Sequence, residues 1–113
     1  MASSKKDIFS TEDIRIAKIA KALSHPARLA ILQYLAGMEC CCFNKISDEI
    51  PLADSTVSQH LAELKRAGLV QGNIEPPRIQ YCINISKWEE ARTLFEEFFS
   101  MEVKKYKHKT IHS

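Results

Sequence analysis

The stretch Ser55-Thr56-Val57-Ser58-Gln59-His60-Leu61-Ala62-Glu63-Leu64-Lys65-Arg66-Ala67-Gly68-Leu69-Val70 decides the fold. Val57, Leu61 and Leu64 recur at i, i+4 and i+7, the spacing of one buried helix face, and leave Thr56, Ser58, Gln59, Glu63 and Arg66 off that stripe. Gly68 supplies a C-terminal stop, so a helix is expected from Ser55 to Ala67. Ser55, Thr56, Ser58, Gln59 and His60 gather in its N-terminal half. There, hydroxyls and free N–H groups can bond phosphates, and the Gln59 amide can pair with adenine in a bidentate way. An ordinary surface helix carries the same residue types, so the elements on either side must decide.

Upstream, Ser10 with Asp13 makes a capping-box-like start to a helix running to about Leu23. Ser24 can cap a second helix, with Pro26 in its first turn, Leu29, Leu32 and Leu35 on one face and Gly37 as its stop. Residues 39–43 can be extended, Lys45 to Ile50 forms a brief helix, and the turn from Pro51 to Asp54 leads into the central helix. Downstream, Leu69 to Glu75 and Arg78 to Ile85 are rich in β-branched and aromatic residues and flank Pro76-Pro77, as in a hairpin. Ser86 with Glu89 opens a last helix whose Trp88, Ala91, Leu94, Phe95, Phe98 and Phe99 form a broad apolar face.

Short helix, tight turn, second helix and two strands is the order of a winged helix-turn-helix, a mainly α fold with a small β-hairpin. Residues 11–101 would form this one domain, residues 1–10 an N-terminal tail and residues 102–113 a basic C-terminal tail. Lys5, Lys6, Lys104, Lys105, Lys107 and Lys109 gather at the ends, where solvated tails are expected. The net charge of +2 is too slight to identify a nucleic-acid partner alone. No apolar run suits a signal peptide or a bilayer span, so a soluble cytoplasmic protein is expected. In a reducing compartment the 4 cysteines should be thiols open to ligation or redox chemistry, not a structural disulfide framework.

Two segments together, Ala22-Leu23-Ser24-His25-Pro26-Ala27-Arg28-Leu29-Ala30-Ile31-Leu32 and the stretch from Ser55 to Val70, resemble the ArsR/SmtB family of bacterial metal- and thiol-responsive repressors. The resemblance runs from about residue 12 to residue 99. It implies a homodimer joined through the first and last helices, holding operator DNA with two recognition helices and releasing it when an inducer binds. Arg78, beside the proline pair, could reach phosphate or the minor groove. Asp54 departs from the neutral polar residue frequent there: it could cap the helix but would repel phosphate.

Cys40, Cys41 and Cys42 are consecutive, and Cys82 falls in the second strand of the expected wing. Soft thiolates select thiophilic ions. The resemblance sets the triplet where arsenic-, cadmium- and lead-sensing members carry Cys-x-Cys, a spacing that Cys40 and Cys42 reproduce. In an extended chain Cys40 and Cys42 face one way and Cys41 the other, so all three would bind one ion only through a bend. In winged-helix folds this segment commonly pairs with the second wing strand, which would make Cys82 an alternative third sulfur; otherwise Cys82 is a small apolar strand residue. Trivalent arsenic suits three thiolates, whereas structural zinc wants four ligands. As(III) is the expected inducer, with Cys40, Cys41 and Cys42 as ligands and Cys82 in reserve. Sb(III), Cd(II) and Pb(II) are alternatives, and no cofactor is required for DNA binding. Oxidation or persulfidation of a reactive pair is the rival chemistry.

The zinc-sensing members place carboxylate and histidine ligands along the last helix, but residues 87–101 contain no histidine, and His108 and His112 sit in the tail as solvated residues. Catalysis is not expected: there is no Cys-x-x-Cys in a βαβ setting, no Gly-rich phosphate loop and no cysteine, histidine and acid set. A winged helix that binds protein instead of DNA is the remaining class, supported by the slight charge and Asp54.

Overall fold

The computed structural model describes residues 8–75 and 78–105, and the side chains of all of these except 73–75 and 78. In chain order the elements are α1 (Thr11–Ala22), α2 (Pro26–Ala36), β1 (Cys41–Cys42), α3 (Phe43–Glu49), α4 (Asp54–Arg66), β2 (Val70–Glu75), β3 (Arg78–Ile83) and α5 (Ile85–Phe99). This is the expected winged helix-turn-helix.

Local chemistry sets the helix ends. Ser10 accepts from the Asp13 N–H at 3.0 Å and caps α1 as expected. Ser24 does not open α2: its hydroxyl donates to the Lys21 carbonyl at 2.6 Å and closes α1. Pro26 drives the residue before it into an extended conformation, so His25 becomes the N-cap and its Nδ1 accepts from the Ala27 N–H at 3.0 Å. The buried face of α2 is also rotated: Ile31, Leu32 and Leu35 are inside, and Leu29 is exposed. At the other end Asn84 caps α5 by accepting from the Lys87 N–H at 3.2 Å, so β3 stops at Ile83 and the expected Ser86 start is superseded.

Helix α4 runs as its apolar stripe requires, with Val57, Leu61 and Leu64 all at 0% exposure. Its end is a Schellman motif: Gly68 N–H donates to Lys65 and Leu69 N–H to Leu64. Gly68 has a φ of 87°, which a side chain at this position would strain. Leu64 and Leu69 are both buried, and the chain leaves the helix directed into β2.

The sheet order is β1-β3-β2, antiparallel throughout. β1 is only two residues long but pairs Cys41 with Tyr81 and Cys42 with Gln80. The core lies between the helices and one face of this sheet, where Ile19, Ile31, Leu35, Ile46, Leu61 and Val70 meet. α1 packs on α5, and Arg15 bridges to Glu90 at 2.7 Å. Among the described residues much of the apolar face of α5 has no cover: Phe98 and Phe99 are exposed, and a groove of 470 Å³ runs past Ile19, Leu23, Trp88 and Phe95. Among the described residues no helix is long and apolar enough to cross a membrane.

Leu61 is enclosed on all sides, so Leu61→Ala should cost about 2–5 kcal/mol. Urea unfolding at fixed protein concentration should show a lower midpoint with an unchanged slope.

Candidate nucleic-acid interface and thiol cluster

The helical repeat that buries Val57, Leu61 and Leu64 turns Ser55, Ser58 and Gln59 outward. All three are exposed, and Thr56 is half-buried. They form a short polar row on the first turns of α4, where unpaired backbone N–H groups add positive potential. Asp54 is the first residue of α4 rather than its cap, and its carboxylate accepts from the Ser47 hydroxyl. That bond ties α3 to α4 across their turn. Arg66 is paired with Glu63. Arg78 opens β3 opposite Glu75, but its side chain lies outside the described residues. His108 and His112, with the tail beyond residue 105, also lie outside them.

His60 requires a correction. It was expected to face DNA, yet it is only 7% exposed and points toward α2. Arg28 Nε donates to His60 Nδ1 at 3.1 Å, which leaves the imidazole proton on Nε2. The His25 ring stands 4.4 Å from it. Arg28 Nη1 also reaches the Lys21 and Ala22 carbonyls at 3.3 and 3.4 Å. One guanidinium thus joins the C-terminal end of α1, the start of α2 and the middle of α4, with its charge placed where helix carbonyls favour a cation. The missed signal was in the spacing: Val57, His60, Leu61 and Leu64 fall at i, i+3, i+4 and i+7, so His60 belongs to the buried stripe.

The cysteines divide between the two faces of the sheet. Cys41 points into the core at 3% exposure. The Tyr34 phenol lies beside it, and burial followed by the charge of a Cys41 thiolate pushes that phenol above its ordinary pKa. One step back along the β1–β3 register sets Cys40 opposite Cys82, with Cα atoms 4.5 Å apart, and the two are joined by a disulfide. Period-two alternation turns Cys42 to that same face. Cys42 is half-buried and free. Two expectations change. The pair is a disulfide, not two thiols, and Cys82 is the direct partner of Cys40 instead of a passive strand residue. The triplet does not converge, because strand geometry sends Cys41 away from its neighbours. Among the described residues of this disulfide form, no group of three Cys, His, Asp or Glu side chains is arranged to hold a metal ion.

A pocket of 710 Å³ opens beside β1, lined by the three consecutive cysteines with Met38, Phe43, Lys45, Ile79 and Gln80. Cys42 is also the N-cap residue of α3, the first helix of the motif. Chemistry at this cluster is therefore one residue from the DNA-reading unit on one side and bonded to the wing on the other.

A helix-turn-helix with a polar row on its second helix and a hairpin behind it defines the class: winged-helix DNA-binding regulators. Residues 25–71 match the family described as bacterial regulatory protein, arsR family. The chain is 37% identical over 83 residues to the uncharacterized HTH-type transcriptional regulator MJ1325 of Methanocaldococcus jannaschii, covering 74% of this chain and 93% of that protein. The homodimeric winged helix-turn-helix DNA-binding domain Mb0332 of Mycobacterium bovis superposes with a TM-score of 0.64 at 29% identity, over 88% of this chain and 89% of that one. A crystal structure of a possible transcriptional regulator for arsenical resistance also gives 0.64, at 26% identity over 70% and 81% of the two chains. The chain belongs to the arsR family of transcriptional regulators.

Burial, then the nearby His25 ring and Arg28 guanidinium, hold the His60 imidazole below its ordinary value of 6.5. The unfolded chain takes up this proton at the ordinary value while the folded chain resists it. The stabilising difference is fully present above pH 6.5 and is lost progressively as pH falls below it. Urea midpoints between pH 7.5 and 5.5 should therefore decline on the acid side, and His60→Asn should flatten that decline.

Proposed function

We propose that this regulator represses its target as a homodimer on operator DNA and releases the DNA when As(III), or Sb(III), is bound by Cys40, Cys42 and Cys82. The observation that carries the reading is the cross-strand contact of Cys40 with Cys82 on the sheet face that Cys42 shares. Once the disulfide is reduced, these are three soft ligands on one small surface, the number that trivalent arsenic takes. Arsenous acid would exchange three As–O bonds for three As–S bonds, each thiol proton leaving with a hydroxide as water. Cys41 is replaced by Cys82 in the ligand set because Cys41 packs in the core.

Dimerisation through α1 and α5 is supported by the uncovered Phe98, Phe99 and the adjoining groove, and by the homodimeric state of the M. bovis relative. DNA contact is assigned to Ser55, Thr56, Ser58 and Gln59, with Arg78 from the wing. A bound metalloid would link β1, and through it α3, to β3. That link shifts the recognition helices from the spacing of about one helical turn that two half-sites demand. Coupling of this kind is reciprocal: operator must weaken arsenite binding by the factor by which arsenite weakens operator binding.

The test is fluorescence anisotropy of the reduced chain on its own promoter DNA. Arsenite should raise the apparent Kd on the order of 5–150-fold. Cys40→Ser, Cys42→Ser and Cys82→Ser should each abolish the response, while Cys41→Ala keeps it. A response to Cd(II) or Pb(II) but not arsenite would reassign the inducer; loss of the response in Cys41→Ala, with Cys82→Ser still responding, would overturn the ligand set.

A further inference from the structure

We infer that the Cys40–Cys82 pair is also a modification site for two-electron oxidants, and that its disulfide releases operator DNA while closing the site to arsenite. The direction of the DNA effect rests on the reading above; the chemistry stands on separate observations. Cys40, just before β1, stands opposite Cys82 of β3 and shares a bond with it, so the sheet as folded accommodates the disulfide. Their exposures differ: Cys40 lies at the surface, and Cys82 is 7% exposed. The exposed sulfur is the one an oxidant meets, and the buried one is shielded from it but in reach of its neighbour.

With hydrogen peroxide as the oxidant, the Cys40 thiolate attacks one oxygen, an S–O bond forms, the O–O bond breaks and hydroxide leaves to be protonated to water. The sulfenic acid on Cys40 is then attacked by the Cys82 thiol, which forms the S–S bond and expels the second oxygen as water. Two thiols and one peroxide give one disulfide and two waters. A phosphine reverses the change, taking oxygen from water to become a phosphine oxide.

Oxidation and metalloid capture draw on the same two sulfurs and tie the same two strands, β1 to β3. Cys42 is the difference between them. It is the third sulfur for arsenite but has no part in the disulfide. The regulator therefore has two inputs that exclude each other at the site and agree in their effect on DNA.

The experiment compares the full chain, phosphine-reduced and desalted, with the same chain after hydrogen peroxide, each checked by disulfide mapping. Operator affinity is read by anisotropy, and arsenic uptake by the metalloid retained through gel filtration. Peroxide should weaken operator binding on the order of 5–150-fold, abolish arsenic uptake, and do both reversibly. Cys42→Ser should lose arsenite release but keep peroxide release; Cys40→Ser and Cys82→Ser should lose both. An oxidised chain that takes up arsenite as the reduced one does, or holds operator as tightly while arsenite still releases the reduced chain, overturns the inference and leaves the arsenite reading intact. Release by peroxide but not by arsenite overturns the arsenite reading and leaves the oxidation site standing.

Discussion

Pairing of two residues, Cys41 and Cys42, with Tyr81 and Gln80 is the constraint on which the rest of the molecule depends. That short strand adds backbone pairing to the direct packing of α3 on β3. With it, the residue entering the helix-turn-helix is hydrogen-bonded to the strand that returns from the wing tip. The same register assigns each cysteine its role. Cys41 must face the core with Tyr81, and Cys40 must stand opposite Cys82. A slip of one residue would invert all of them, because side chains alternate faces along a strand.

The helical half is held by a second connection of different chemistry. Arg28 caps the carbonyl end of α1 and donates to His60, so the recognition helix is anchored by a charged hydrogen bond as well as by Val57, Leu61 and Leu64. Hydrogen bonds from a charged donor exceed neutral ones in strength, and the bond requires His60 to stay neutral on Nδ1. Together with the Ser47–Asp54 contact it fixes how α4 presents Ser55, Ser58 and Gln59. These contacts tie α4 to α1, α2 and α3.

Much of this was legible in the chain, for physical reasons that can be traced. The 3.6-residue stripe of α4, the glycine that ends it and the proline-split hairpin are local signals, and they placed the motif within a residue or two. The alternation of Cys40, Cys41 and Cys42 was also local. Other features depended on partners distant in sequence. His60 carries a polar side chain on a buried position, and only Arg28, 32 residues away, makes that tolerable. The disulfide spans 42 residues, so no spacing rule announces it. Helix caps moved for a subtler reason: Ser24 and Ser86 are good caps, but Pro26 and the end of β3 made His25 and Asn84 the residues with extended backbone at those points. The face of α2 rotated from Leu29 to Ile31 because the core is defined by what packs on it, not by the helix alone.

The central claim is that Cys40, Cys42 and Cys82, and not the consecutive triplet, form one sulfur site bridging the motif and the wing. X-ray absorption at the arsenic edge of the reduced, arsenite-loaded chain counts its ligands directly. Three sulfurs in the wild type and in Cys41→Ala, falling to two sulfurs and one oxygen in Cys82→Ser, is the expected result. Three sulfurs retained in Cys82→Ser, with one lost in Cys41→Ala, would contradict it.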